Sequence, residues 1–108
     1  MSLKKLTQKI IDFRDERNWK QFHTPKDLGL SLLCEAAELV EHFKWAKDSE
    51  ILANCNKEEI ADELADVLAC ILLISHEFQI DLESHFDTKI KKNEAKYPAP
   101  EFKGKFKN

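Results

Sequence analysis

An all-α fold is what this sequence predicts, and three observations carry the prediction. Apolar residues recur at helical spacing along four segments, and no stretch alternates in the manner of a strand. Glycine occurs twice and proline three times in 108 residues, so breaks in the chain are few. The second, third and fourth segments each begin at a residue suited to capping a helix: Thr24, Asn56 and Asp81.

The first helix is expected from about Ser2 to Arg17, with Leu3, Leu6, Ile10 and Phe13 on one face and charged residues between them. Asn18-Trp19-Lys20-Gln21-Phe22-His23 follows as a connector, unusually aromatic for a loop. In Thr24-Pro25-Lys26-Asp27, Thr24 serves as N-cap, Pro25 sits where a missing N–H costs nothing, and acidic Asp27 falls in the first turn. This second helix is expected to reach about Trp45. The segment KDSEILANCN reads as a polar connector. Asn56, with Glu59 three residues on, opens a third helix to about Phe78. Asp81 opens a fourth through roughly Ala95, carrying Leu82, Phe86 and Ile90. Tyr97-Pro98-Ala99-Pro100 ends it, because a residue before proline is pushed out of the α region. Residues 1–98 are therefore expected as one domain and the basic residues 99–108 as a flexible tail.

Composition narrows the functional class. Hydrophobic residues make up 43% and charged residues 34%, ordinary for a soluble helical protein and too apolar for disorder. A net charge of −3 argues against a protein that coats a nucleic acid polymer. The apolar run from Ile60 to Ile74 is interrupted by Asp62, Glu63 and Asp66 and is too short to span a bilayer, so no membrane partner is expected. The first residues lack the apolar run and cleavage site of a signal peptide. Cys34, Cys55 and Cys70 are odd in number and follow no ligand spacing. Reduced thiols and a cytoplasmic location fit this pattern, with Cys34 and Cys70 expected among core residues.

Four acids break the rule that keeps charge out of cores. Glu35-Ala-Ala-Glu38 lies inside LGLSLLCEAAELVEHF, and Glu63-Leu-Ala-Asp66 lies inside EEIADELADVLACILLIS. Desolvating one ion costs on the order of several kcal/mol even after relaxation. At 100° per residue, Glu35, Glu38 and His42 share one stripe, and Glu59, Glu63, Asp66 and Cys70 share another. Both stripes are flanked by apolar residues such as Leu32, Leu39, Val67 and Ile71, so these helices must be covered by each other and by a second subunit. Packed together, the two acid pairs converge on one point and call for a cation. His42 either supports a ligand or acts as a helix-end charge, and Glu59 is either a ligand or a first-turn charge. All-oxygen ligation suits Mg²⁺, with Mn²⁺ as substitute, rather than zinc or copper. Magnesium shares its ligation with substrate phosphates, which points to metal-assisted phosphoryl or nucleotidyl transfer to water. No Walker loop or GxGxxG motif is present, leaving Lys89, Asn93 and Lys96 as candidates to hold phosphate. Trp19, Phe22 and Trp45 serve either as core anchors or, beside an acidic site, as base-stacking surfaces.

ExxE on one helix followed by ExxD on the next resembles the MazG-like all-α nucleoside triphosphate pyrophosphohydrolases. The lead-in Arg17-Asn18-Trp19-Lys20-Gln21-Phe22-His23-Thr24-Pro25, the helix end Phe43-Lys44-Trp45 and the run Lys89-x-x-x-Asn93-x-x-Lys96-Tyr97-Pro98 resemble the dCTP pyrophosphatase branch. The resemblance extends from about Leu6 to Pro98. It implies a four-helix bundle completed by oligomerisation, as a homodimer or homotetramer. It also implies cleavage of a nucleoside triphosphate, dCTP-like substrates favoured, between the α and β phosphates. By the same resemblance, Glu35, Glu38, Glu63 and Asp66 match the magnesium ligands, with Glu38 best placed to orient water and Glu35 beside it. Trp19, Lys20, Gln21, Phe22, His23 and Trp45 match the segments that enclose base and sugar. Lys89, Asn93 and Lys96 match the closing motif near phosphate. Ile10 and Cys70 stand where some dCTP-preferring relatives carry histidine and tyrosine, which leaves base preference open. The competing readings are a dUTPase-like all-α hydrolase and a helical module that binds nucleotide or a partner without turnover.

Overall fold

Capping chemistry sets the helix starts in the computed structural model, which describes residues 1–105. Helix α1 (Leu3–Glu16) begins at Ser2, whose hydroxyl accepts from the Lys5 amide at 3.2 Å. Helix α2 (Pro25–Glu41) begins at Thr24, whose hydroxyl accepts from the Asp27 amide at 3.1 Å. A four-residue turn, α3 (Ile51–Asn54), precedes α4 (Lys57–Glu77). The Asn56 side chain accepts from the Glu58 and Glu59 amides at 3.0 and 3.1 Å, satisfying two donors that have no partner within the helix. Asp81 caps α5 (Leu82–Lys96) through the Ser84 amide at 3.2 Å, and α6 (Ala99–Phe102) follows. No strand occurs among the described residues.

Helix α1 stops because Asn18 takes a left-handed conformation, φ 56°. The Asn18 amide then donates to Asp15 at 3.0 Å and the Trp19 amide to Arg14 at 3.1 Å, closing the helix end. This geometry lays Trp19 edge-on against Phe13, with ring centroids 5.8 Å apart, while the Arg17 guanidinium covers the Phe13 ring at 3.7 Å. A 3₁₀ turn, Lys20–Phe22, carries the chain on to α2.

The chain divides into two units, the first ending at Phe78 and the second beginning at Gln79. In the first, α2 and α1 both pack on α4. Ile11, Leu28 and Leu73 form the buried core, with Ile10 and Ile74 packed against it. Burying each such side chain contributes about 1.5–3 kcal/mol. Arg14, only 3% exposed, is held between Asp15 at 3.0 Å and Glu77 at 3.6 Å, tying α1 to the end of α4. An open apolar groove of about 280 Å³ runs between α1 and α4, lined by residues that include Leu6, Ile10, Phe13 and Leu68. In the second unit, Tyr97 ends α5, and its ring meets Phe102 edge-on at 5.2 Å.

Several boundaries differ from expectation. Helix α2 ends at Glu41, four residues short of Trp45, and His42 to Ala46 continue as turns. The connector expected between residues 47 and 56 contains α3, pinned where the Cys55 thiol donates to the His42 carbonyl at 3.3 Å. The expected flexible tail begins with α6, and residues 106–108 lie outside the described residues. Cys34, expected in the core, is exposed, while Cys70 is half-buried. An all-round apolar helix does not reveal which of its faces meets its own chain, and Cys34 lies on one that does not.

Candidate active site

Helix α2 delivers Glu35 and Glu38 one turn apart, and α4 delivers Glu63 and Asp66 in the same way. Because these two helices pack on each other, the acids meet. Glu35, Glu63 and Asp66 each place an oxygen within 4.8 Å of the others. Glu35 and Glu63 are half-buried, whereas Glu38 and Asp66 are exposed. One oxygen of Glu35 and one of Glu63, Oε2 in each case, is buried with no hydrogen-bond partner.

The electrostatic consequence is direct. Burial pushes the Glu35 carboxyl above the usual carboxylate range, and the charges of Glu38, Asp66 and Glu63 push it further. Glu63 is raised by burial and then by Glu38, with His42 acting in the opposite sense. Glu38 thus lies outside the tightest trio yet close enough to act on both. His42, the C-cap of α2, sets Nε2 3.7 Å from Glu63 and Nδ1 3.8 Å from Glu59. Cys70, one turn beyond Asp66, is pushed up by burial and by Glu35 and Asp66, so its thiol stays protonated and adds no thiolate.

This donor set fits a hard divalent cation. Such an ion binds oxygens at about 2.0–2.6 Å, which places its ligands roughly 3–5 Å from one another. Like-charged carboxylates gathered at that spacing, two with buried and unpartnered oxygens, are destabilising alone and are satisfied by a bound cation.

The other expected site residues are placed as follows. Trp19 packs on Phe13, while Lys20, Gln21 and Phe22 form the 3₁₀ turn, with the Gln21 amide donating to the Asn18 carbonyl at 2.9 Å. His23 is half-buried, and its Nδ1 has no partner. Trp45 is 88% exposed, and the Lys44 ammonium lies 5.2 Å from its ring. Lys89, Asn93 and Lys96 lie on α5 in the second unit, with Asn93 half-buried and both lysines exposed. Two roles were not foreseen. Arg14 is a buried charge rather than a surface one, and Cys55 anchors the end of α2. An isolated arginine in an amphipathic helix and a cysteine in a polar connector carry no signal of either role.

Comparison with known proteins agrees with this geometry. Residues 30–108 match the model of the MazG-like family. The chain is 34% identical over 92 residues to dCTP pyrophosphatase 1 of Homo sapiens, covering 82% of this chain and 54% of that protein. It is 33% identical over 91 residues to dCTP pyrophosphatase 1 of Mus musculus, covering 81% and 54%. It thus spans about half the length of these relatives. The crystal structure of a pyrophosphatase from Archaeoglobus fulgidus superposes with a TM-score of 0.81 at 38% identity, covering 88% of this chain and 91% of that one. With an all-α fold, a converging trio of carboxylates from two helices and these relatives, the chain belongs to the MazG-like family.

Proposed function

We propose that the protein is a Mg²⁺-dependent nucleoside triphosphate pyrophosphohydrolase that favours dCTP-like deoxynucleotides. The observation that carries this reading is the all-oxygen cluster of Glu35, Glu63 and Asp66, with two buried oxygens left without protein partners. These three residues, joined by Glu38, would hold the metal. A bound Mg²⁺ supplies neutralisation of triphosphate charge and a lowered pKa for bound water.

The chain's own residues do the rest. Glu38, exposed and adjacent to the trio, orients the attacking water and accepts its proton. The water oxygen bonds to the α-phosphorus, the bond to the bridging oxygen breaks, and pyrophosphate leaves the nucleoside monophosphate behind. By the resemblance of the closing motif, Lys89 and Lys96 would neutralise the departing pyrophosphate and Asn93 would donate a hydrogen bond to it. Trp19 through His23 and Trp45 enclose base and sugar. Exposed Leu33, Val40 and Leu64 on α2 and α4 support a homodimer or homotetramer, since apolar area of this kind is normally covered. We place its action in the cytoplasm on the reduced-thiol pattern of its cysteines; no helix among the described residues is long and apolar enough to cross a membrane.

Phosphorus NMR of a deoxynucleotide panel with Mg²⁺ tests the proposal. Monophosphate and pyrophosphate are the expected products. Orthophosphate release would refute the cleavage position, and binding without any product would favour a non-catalytic module. Turnover of dUTP and dUDP in preference to dCTP and dATP would favour the dUTPase-like reading.

A further inference from the structure

We propose that His42 is a positioning residue that holds one carboxylate oxygen of Glu63 so that the other is presented to the metal. The inference rests on the reading of the acids as a divalent-cation site. The imidazole stands between two carboxylates on consecutive turns of α4, Nε2 at 3.7 Å from Glu63 Oε1 and Nδ1 at 3.8 Å from Glu59 Oε2. Glu63 therefore has Oε1 facing the ring and Oε2 buried without a partner.

The two arms of this bridge differ. The side chains of His42 and Glu63 are 23% and 20% exposed, while that of Glu59 is 61% exposed. Glu63 is the sheltered arm, where a contact is little weakened by solvent, and Glu59 is the solvated one. The backbone that carries the ring is fixed. The His42 amide donates to the Leu39 carbonyl at 3.2 Å, and the His42 carbonyl accepts from the Cys55 thiol at 3.3 Å. The end of α2 and the end of α3 thus fix the backbone that carries the imidazole, and the imidazole lies against Glu63. A glutamate with the imidazole packed against one oxygen has fewer rotamers to lose when the other binds an ion. Groups that orient metal ligands typically account for about 10–100-fold in metal affinity.

The test is a titration of the protein with Mn²⁺, free ion being followed by electron paramagnetic resonance, for the wild type, His42→Leu and His42→Gln. His42→Leu should bind Mn²⁺ about tenfold more weakly, at the low end of that range. His42→Gln, whose amide nitrogen reaches the place of Nε2, should restore affinity to within about threefold of wild type. If His42→Leu does not fold, as judged by circular dichroism, His42→Ala carries the same expectation. Undiminished affinity in the Leu or Ala variant overturns the inference, as does failure of Gln to rescue. Absence of Mn²⁺ binding by the wild type overturns the reading of the acids themselves, and this one with it.

Discussion

The acid cluster of this molecule sits on helices and the exposed rings of Trp19, Phe22 and Trp45 sit between them, and the two regions are prepared for a ligand to different degrees. Glu35 and Glu63 are half-buried on α2 and α4, fixed by the same packing that forms the core. Trp19, Phe22 and Trp45 lie on connectors and are exposed, Trp45 almost completely. A carboxylate cluster must be assembled in advance, because moving like charges together during catalysis would oppose the reaction. Aromatic surface can close on a base afterwards, since stacking depends little on exact register. Under the proposed function, the helices would account for chemistry and the connectors for selection.

Removing the metal tests the first half of that contrast and should have the largest effect. Chelation with EDTA should abolish turnover, and Mg²⁺ or Mn²⁺ should restore it. At about 100 Kd of free metal the folded state should gain about 2.7 kcal/mol, measured as a shift in urea midpoint. Full activity in EDTA would leave the acid cluster without a function.

Glu38→Gln separates holding from acting within the acids. Glu38 lies outside the tight trio, so the variant should fold and bind Mn²⁺ while kcat falls by about 10²–10⁴-fold. Loss of metal binding equal to the loss in kcat would instead make Glu38 a ligand alone, with no part in activating water.

The acids were legible in the sequence because helical periodicity is a local property. The spacing of Glu35, Glu38, Glu63 and Asp66 put each pair on one stripe; apolar neighbours marked those stripes as inward-facing, which holds for half-buried Glu35 and Glu63 but not for exposed Glu38 and Asp66. The starts of α2, α4 and α5 were legible for the same reason, since Thr24, Asn56 and Asp81 bond amides only two or three residues away. The end of α2 was not. No glycine or proline lies in the turns that follow Glu41, and the stop is made by the turns at His42 and by Cys55, thirteen residues beyond it. Helix α3 was missed because four residues are too few to show a period. The exposure of Cys34 depends on which side of an all-round apolar helix its own chain covers, and that is decided by tertiary packing.

Trp45→Ala sharpens the other side of the comparison. With the ring 88% exposed, its removal should change stability by less than about 0.5 kcal/mol. If it stacks on the base, lost binding of about 1–3 kcal/mol corresponds to a rise in KM of roughly 5–150-fold, with kcat changed far less. Measuring kcat and KM separately decides the matter, and an unchanged KM would remove Trp45 from the pocket.

The smallest effect expected is a dependence of stability on pH that differs with and without metal. Glu35 and Glu63 are raised in the folded, metal-free protein, so the folded state binds protons more tightly than the unfolded one. Their contribution is fully present below the ordinary glutamate value of about 4.3 and is lost as pH rises through the raised folded values. Metal reverses this, because it binds the deprotonated carboxylates and must displace those protons. Thermal midpoints measured between pH 5 and pH 7.5 should therefore diverge, the Mg²⁺ curve rising above the EDTA curve as pH increases. Glu35→Gln should lessen the fall seen in EDTA, since one of the two raised groups is gone. Parallel curves across that range would place the metal somewhere other than on these acids, and would leave the half-buried stripe of α2 and α4 as a repulsive cluster without a ligand.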